Sequence, residues 1–231
     1  MVRDSMRAML QSILELGWFW YQKPESVHDL IRKVHGQDIF DEACESGQGV
    51  LLLVPHLGCW EMMNHYLPQR IETSFMYKQP RDRGVERVIV SGRERNGGTM
   101  IRADGKGVRQ VIHEIRQGHL VGVLPDQQPK AGQGQFAPFF GIEALTMVLV
   151  SRLAQKTACR VLFGWIERLP HGIGYDFHFS AAAAEIADPD LRVSVTALNL
   201  GVEQCARQCP AQYQWGYKRF SIRPEGEPSL Y

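Results

Sequence analysis

The regular alternation of short apolar runs and amphipathic segments between residues 50 and 124 constrains the fold more than any other feature of this chain. The apolar runs are typical of strands buried on both faces, and the segments between them have helical periodicity. Repeated strand–helix units favour an α/β fold, with a mostly parallel central sheet and helices on both faces. The predicted strands are 50–55, 73–77, 99–102 and 119–124, and the predicted helices are 59–67, 81–96 and 105–117.

The flanking segments complete one domain. A loop rich in Gly, Gln and Pro is expected from Asp126 to Gly141. We expect a single domain over residues 1–231, made of an N-terminal helical segment at 1–46 and an α/β core at 47–224. The remaining predicted elements are helices at 5–21, at 24–33 and up to Cys44, a helix at 144–156, strands at 159–168 and 174–181, and a helix at 190–208.

Composition supports one core and excludes several classes of protein. A chain of 231 residues with 44% hydrophobic content is long enough for one sizeable core. A net charge of +1 argues against a nucleic-acid-binding protein. The five cysteines have no paired CxxC spacing, which argues against a disulfide framework or a zinc site and favours a reducing cytoplasm. No run approaches the roughly 18 apolar residues of a membrane span, and the N-terminus lacks a signal-peptide pattern.

The predicted helix at 5–21 has two interpretations. Its apolar residues recur at helical intervals and end in the aromatic cluster 18–21, beside Arg3, Arg7 and Lys23. Such a stripe packs into a core or lies at the boundary of lipid headgroups. Binding at a membrane surface therefore stays open.

The segment 55–61, which follows an apolar run, has the chemistry of a catalytic pair. It puts His56 at the end of a buried strand and Glu61 where the next helix begins. A carboxylate that accepts one ring N–H fixes the tautomer, so the other ring nitrogen can take a proton from a substrate hydroxyl. We therefore predict that His56 is a general base and that Glu61 orients it.

Spacing alone does not identify this pair. With 8 histidines and 25 acidic residues in 231 positions, chance supplies about one His-x4-acid pair. A second one, His171 with Asp176, lies in a Gly/Pro-rich turn between two predicted strands. The strand and helix around His56 distinguish it, because α/β folds expose reactive groups where parallel strands end.

A basic cluster follows the second predicted strand. Residues 78–109 contain nine basic and four acidic side chains. Such a cluster forms either a solvated helix face or a site for phosphate or another anionic partner.

Common catalytic signatures are absent. The chain has no GxGxxG, GxxxxGK[ST], HExxH or GxSxG motif, so dinucleotide, P-loop, zinc-protease and serine-hydrolase interpretations have no support. A His–acid pair without a nearby Ser or Cys nucleophile has to activate the substrate instead.

Four sequence blocks occur in order between about residue 5 and residue 224. They are 50–61; 76–78 with 92–96; 118–127 with 136–141; and 214–220. Together they resemble the late acyltransferases of lipid A biosynthesis, the lauroyl- and myristoyl-transferring branch of the lysophospholipid acyltransferase superfamily. The segment around His171 matches no motif of this family.

The resemblance implies transfer of a fatty acyl chain from a thioester to a hydroxyl of a glycolipid. The implied catalytic residues are His56, Glu61, Arg93 and Asp126. Arg93, or the backbone N–H groups around Gly58, would stabilise the oxyanion. Asp126 would hold Arg93, the acceptor hydroxyls or a structural turn.

The resemblance also implies substrate-binding residues. Lys78, Arg95 and Arg219 would bind glycolipid phosphates or an acidic carrier protein. Trp60, Phe139 and Phe140 would line an acyl channel, with core packing as the alternative for each.

The expected partners are acyl carrier protein, a glycolipid acceptor, most simply a lipid A precursor, and a membrane surface, with no nucleic acid. No metal or cofactor is expected, because acyl carrier protein or coenzyme A supplies an activated thioester. Family members usually carry a membrane-spanning helix before the region matched by 5–21, so we expect a shorter or truncated relative, peripheral on the cytoplasmic face of the bacterial inner membrane. Acylation of another membrane glycolipid or phospholipid, or thioester hydrolysis by the same pair, remains an alternative.

Overall fold

A seven-stranded sheet lies at the centre of the molecule in a computed structural model that describes residues 1–231. A separate hairpin, β6 with β7, packs beside it. The strands are β1 (Ile31–His35), β2 (Val50–Leu53), β3 (Thr73–Tyr77), β4 (Thr99–Arg102), β5 (Leu120–Val123), β6 (Gly134–Phe139), β7 (Ile142–Met147), β8 (Arg160–Arg168) and β9 (Tyr175–Ala181).

The strand order of the large sheet is β1-β9-β8-β2-β5-β3-β4. The five strands from β8 to β4 run parallel, β9 is antiparallel to β8, and β1 is parallel to β9. The mostly parallel α/β fold predicted from the alternating sequence is confirmed.

Helices cover both faces of the sheet. The helices are α1 (Val2–Tyr21), α2 (Pro24–His28), α3 (Gln37–Glu45), α4 (Met63–Tyr66), α5 (Arg83–Glu94), α6 (Gly105–Arg116), α7 (Leu149–Thr157) and α8 (Leu191–Gln208). Side chains from α6, α7 and α8 join an apolar cluster on one face, and side chains from α1 to α4 join a cluster on the other.

The strand β2 shows why the centre of the sheet is so apolar. Leu51 and Leu53 pack into one cluster, and Val50 and Leu52 pack into the other, because successive side chains point to opposite faces. All four side chains are fully buried, and each contributes about 1.5–3 kcal/mol by leaving water. A parallel strand buried on both faces has no polar alternation, as the sequence shows.

The structure corrects the predicted loop from Asp126 to Gly141 and the start of the predicted helix at 144. Residues 134–147 form the hairpin of β6 and β7, joined by Phe140 and Gly141. Both turn residues have positive φ, 49° and 77°, as tight two-residue hairpin turns require. The helix formers of β7 misled the prediction, because cross-strand pairing overrides local propensity.

The N-terminal segment 1–46 is also corrected, because it is not entirely helical. The helix predicted at 24–33 ends at His28, and Ile31–His35 forms the edge strand β1 beside β9. This segment therefore completes the central sheet instead of forming a separate helical layer.

The long helix α1 has an unusual orientation. Its apolar stripe faces outward: Leu10 is 57% exposed, Leu14 is 77% exposed and Tyr21 is 67% exposed. Its inner face holds the fully buried Phe19 and an ion pair between Glu15 and Arg168, whose Nε lies 2.8 Å from Glu15 Oε1. Of the two interpretations of this stripe, core packing is therefore wrong for most of its residues.

No helix of the molecule combines the length and apolar content needed to cross a membrane.

Candidate active site

The sheet register brings His56 and Asp126 together. The neighbouring strands β2 and β5 are parallel, and Leu53 pairs with Val123. His56 and Asp126 each lie three residues beyond that pair, so the two side chains leave the same edge of the sheet side by side.

Asp126 holds His56 through two hydrogen bonds. His56 Nδ1 lies 2.7 Å from Asp126 Oδ1, and the backbone N–H of His56 donates to Asp126 Oδ2 at 2.9 Å. Burial acts to raise the pKa of Asp126, but the charge and hydrogen bonds of His56 outweigh it and lower the pKa. The ionised carboxylate accepts the Nδ1–H, which leaves Nε2 as the unprotonated nitrogen.

The predicted pairing of His56 with Glu61 is wrong. The Glu61 carboxylate accepts hydrogen bonds from Arg93, whose Nε donates to Oε2 at 3.2 Å and whose terminal nitrogen donates to Oε1. Trp20 and Asn64 also donate to Oε2, each at 3.1 Å. Residues 60–62 form a turn of 3₁₀ helix, and this turn directs Glu61 toward α5 instead of toward His56.

Two predicted oxyanion donors have different outcomes. The backbone N–H groups of Gly58 and Cys59 donate to the carbonyls of Gln212 and Ile166, at 3.2 and 3.0 Å. These two groups are therefore not free to bind an oxyanion. Arg93 lines the cavity beside His56 and uses Nε and one terminal nitrogen on Glu61, so its second terminal nitrogen is left for a ligand.

Only glycine fits at position 58. Its φ is +60°, and a Cβ there would lie 1.7 Å from the carbonyl oxygen of Ile166. This close approach fixes the path of the chain between His56 and Trp60.

Two side chains cover His56. The Tyr217 ring lies 4.4 Å from the imidazole, centroid to centroid, and the Gln127 amide N–H donates to His56 Nε2 at 3.4 Å. His56 is only 2% exposed as a result. Burial raises the pKa of Tyr217, while a hydrogen bond with Gln127 partly opposes this. Gln127 and Tyr217 therefore separate Nε2 of His56 from the solvent.

A cavity of about 710 Å³ opens beside His56. Trp60, Lys78 and Arg93 all line it, as does Tyr217. The structure therefore brings four of the predicted site residues to one cavity: His56, Trp60, Lys78 and Arg93. A smaller and mostly apolar cavity of about 330 Å³ lies on the other side of Trp60, against α1.

Arg95 lies next to this site. It lines a polar groove with Arg87 and Arg102, and its guanidinium stacks over Tyr21 at 5.5 Å from the ring centroid. Glu86 and Glu94 also line this groove, and Glu86 pairs with Arg102; binding of an anion by Arg95 stays a prediction.

Arg219 is not available to a substrate, so its predicted role is wrong. It is 5% exposed and donates to the carbonyl of Leu145 at 2.9 Å and to Thr146 and Asn199 at 3.2 Å. Burial lowers its pKa. Its guanidinium ties the segment that carries Tyr217 to β7 and α8.

Phe139 is a core residue and Phe140 packs, partly buried, against the core; neither lines the two cavities described above, so the acyl-channel interpretation is not supported for them. Phe139 is 1% exposed and contacts Tyr213 and Phe220. Phe140 packs against Trp215, at 5.4 Å between ring centroids, and under Arg207.

His171 lies outside the site. It is an exposed residue of a short 3₁₀ turn between β8 and β9, with φ of 58°. Asp176 lies 3.3 Å from His35 of β1.

Gln127, Tyr217 and Trp20 were not predicted as site residues, although they lie in the block 118–127, the block 214–220 and the aromatic cluster 18–21. Gln127 directly follows Asp126, and this adjacency was the sequence signal that could have indicated a role for Gln127 at the site. Tyr217 and Trp20 reach the site from opposite ends of the chain, which no local pattern reveals.

No group of three or more His, Cys, Asp or Glu side chains is arranged to bind a metal ion. A His–Asp pair at the carboxyl edge of a parallel sheet, without an adjacent nucleophile, is typical of α/β enzymes that activate a substrate hydroxyl.

Comparisons with known proteins identify the family. The model of the bacterial lipid A biosynthesis acyltransferase family matches residues 1–221. The lipid A biosynthesis lauroyltransferase of Escherichia coli is 26% identical over 235 residues, covering 100% of this chain and 75% of that protein. The palmitoleoyltransferase of the same organism is 27% identical over 240 residues, covering 100% and 74%. The chain belongs to the bacterial lipid A biosynthesis acyltransferase family, and it is an O-acyltransferase.

Proposed function

We propose that this enzyme transfers a fatty acyl chain from a thioester to a hydroxyl of a lipid A precursor, with His56 and Asp126 as the general-base pair. The observation that carries the proposal is the geometry of His56, whose Nδ1 is 2.7 Å from the Asp126 carboxylate while Nε2 is directed at the Gln127 amide. The acceptor hydroxyl replaces that amide. Family membership supports the substrate class.

The reaction proceeds in two proton transfers. His56 Nε2 removes the hydroxyl proton as the oxygen attacks the thioester carbonyl, and Asp126 stabilises the imidazolium. The tetrahedral intermediate then expels the thiolate as its C–S bond breaks, and the imidazolium returns the proton to sulfur. General-base catalysis of this kind contributes roughly 10²–10⁴ in rate. No metal is required, since the thioester is already activated.

Arg93 stabilises the oxyanion in this proposal. Its guanidinium lines the cavity beside His56 and is fixed by the Glu61 carboxylate. A donor that is already oriented stabilises developing charge without reorganisation, and removing one such donor costs about 10²–10³ in rate.

In this proposal the cavity beside His56 binds the polar groups of the substrates, and the apolar cavity against α1 binds the acyl chain. Lys78 and, in the adjoining groove, Arg95 bind phosphate groups of the acceptor or an acidic acyl carrier protein. The apolar cavity between α1 and Trp60, lined by Met9, Ile13 and Leu16, takes the acyl chain.

The exposed apolar stripe of α1 supports binding of the enzyme to a membrane surface. An apolar helix face of this size, close to the exposed side chains of Arg87 and Arg95, fits the boundary of anionic lipid. We propose a peripheral location on the cytoplasmic face of the inner membrane, where thioester donors and lipid acceptors meet.

One experiment tests the reaction, the donor and the location. Acyl carrier protein or coenzyme A thioesters are incubated with the enzyme and a lipid A precursor, in detergent micelles or in anionic vesicles, and products are identified by mass spectrometry. We expect an added acyl ester on the precursor, and a slower rate only in the vesicle assay for the variant Leu10→Asp/Leu14→Asp. Free fatty acid as the main product would instead support a thioesterase, and acylation of another lipid alone would overturn the proposed acceptor.

A further inference from the structure

The indole of Trp20 connects α1 to the carboxylate of Glu61. Its Nε1 donates to Glu61 Oε2 at 3.1 Å. The same ring packs on α5 at Gly92, where a Cβ would lie 2.7 Å from the ring. Trp20 therefore contacts the residue next to Arg93 in sequence and hydrogen-bonds to the residue paired with Arg93 in space.

Glu61 is the only acidic partner that the structure gives Arg93. Glu61 Oε2 accepts from Trp20, Asn64 and Arg93 Nε, at 3.1, 3.1 and 3.2 Å, and Oε1 accepts from the terminal nitrogen of Arg93. Glu61 is 4% exposed, so the protein groups around it set the position of its carboxylate. Removing the indole N–H leaves Oε2 with fewer donors, and the carboxylate rotates toward those that remain.

We propose that Trp20 is a positioning residue that sets the orientation of Arg93 through Glu61. This proposal rests on the proposed oxyanion role of Arg93. Trp20 belongs to α1, the helix that carries the exposed apolar stripe. The position of α1 on the protein is therefore coupled to the geometry of the cavity beside His56. A helix that lifts away from Gly92 removes a hydrogen bond from Glu61 and loosens Arg93.

The test compares two substitutions of the same kind. Trp20→Phe removes an N–H that donates to Glu61, whereas Trp165→Phe removes a buried N–H that has no acceptor. Activity is measured in detergent micelles with an acyl carrier protein thioester and a lipid A precursor. We expect kcat to fall about tenfold in Trp20→Phe with KM nearly unchanged, as for a small misplacement of a catalytic group, and no change in kcat for Trp165→Phe.

A second background shows whether the effect passes through Arg93. In Arg93→Ala, Trp20→Phe should cause no further loss of kcat, since the group that it positions is gone. An equal loss in both backgrounds, an unchanged kcat in Trp20→Phe, or full activity of Arg93→Ala would overturn the proposal. His56→Ala is measured in parallel, so that failure of the general-base mechanism is read separately.

Nuclear magnetic resonance provides a measurement that does not depend on activity. The Arg93 Nε–H resonance, assigned by its disappearance in Arg93→Lys, should shift in Trp20→Phe and stay in place in Trp165→Phe. An unmoved resonance in Trp20→Phe would contradict the proposed link even if the enzyme acylated no lipid A precursor.

Discussion

The two His-x4-acid segments, His56 to Glu61 and His171 to Asp176, make the most instructive comparison in this molecule. In neither segment does the acid bind its own histidine. Glu61 binds Arg93, and Asp176 lies 3.3 Å from His35. His56 gains a carboxylate from a different strand, whereas His171 stays exposed in a turn. Strand adjacency, and not sequence spacing, therefore creates the His56–Asp126 pair.

The histidine–carboxylate pairs that involve these two segments also differ in their exposure to solvent. His56 and Asp126 are both buried, so their hydrogen bonds do not compete with water. The His35–Asp176 pair is partly exposed, and such pairs contribute little.

The largest contrast between the segments should come from replacing the histidines. His56→Ala removes the proposed base, and kcat/KM should fall by about 10²–10⁴. His171→Ala is the matched control and should keep full activity, because it touches no part of the site. Far-UV circular dichroism checks that both variants fold. Equal activities of the two variants would contradict the catalytic role proposed for His56.

Asp126→Asn should have the next largest effect. The asparagine amide no longer fixes Nδ1–H and does not stabilise the imidazolium, so we expect kcat to fall by about 10²-fold, the lower end of the contribution of a general base, with little change in KM. Glu61→Gln, assayed alongside, should lose less. If Glu61→Gln were the more damaging of the two, the Glu61–Arg93 pair would matter more to catalysis than the His56–Asp126 pair.

The smallest effect concerns the stability of the protein when the acid of each segment is replaced. Glu61→Gln breaks a buried ion pair and should lower the free energy of unfolding by about 3 kcal/mol. Asp176→Asn breaks a partly exposed pair and should lower it by less than about 1 kcal/mol. Urea denaturation measures both. Similar losses would show that burial does not separate the two segments.

Much of the fold was predictable because its signals are local. The strands 73–77 and 99–102 have the predicted bounds, and the helix predicted at 105–117 ends one residue earlier. The start of this helix was predictable from Asp104, whose side chain accepts hydrogen bonds from the backbone N–H groups of Lys106 and Gly107.

The partners of the site residues were not predictable, because they depend on strand order. The sequence places both His56 and Asp126 at strand ends, but nothing local says that β5 lies next to β2. Arg219 looks like a free cation in sequence. Only the packing of β7 against α8 shows that the guanidinium of Arg219 donates its hydrogen bonds to Leu145, Thr146 and Asn199.

The position of β2 between β5 and β8 has a consequence for folding. β2 cannot be enclosed until residue 160 or later has been synthesised, and His56 is covered only when Tyr217 folds back across about 160 intervening positions. Closing such long loops is entropically costly and slow. We therefore expect the nascent chain to be inactive for most of its synthesis, since the surroundings of His56, the proposed base, form late in folding.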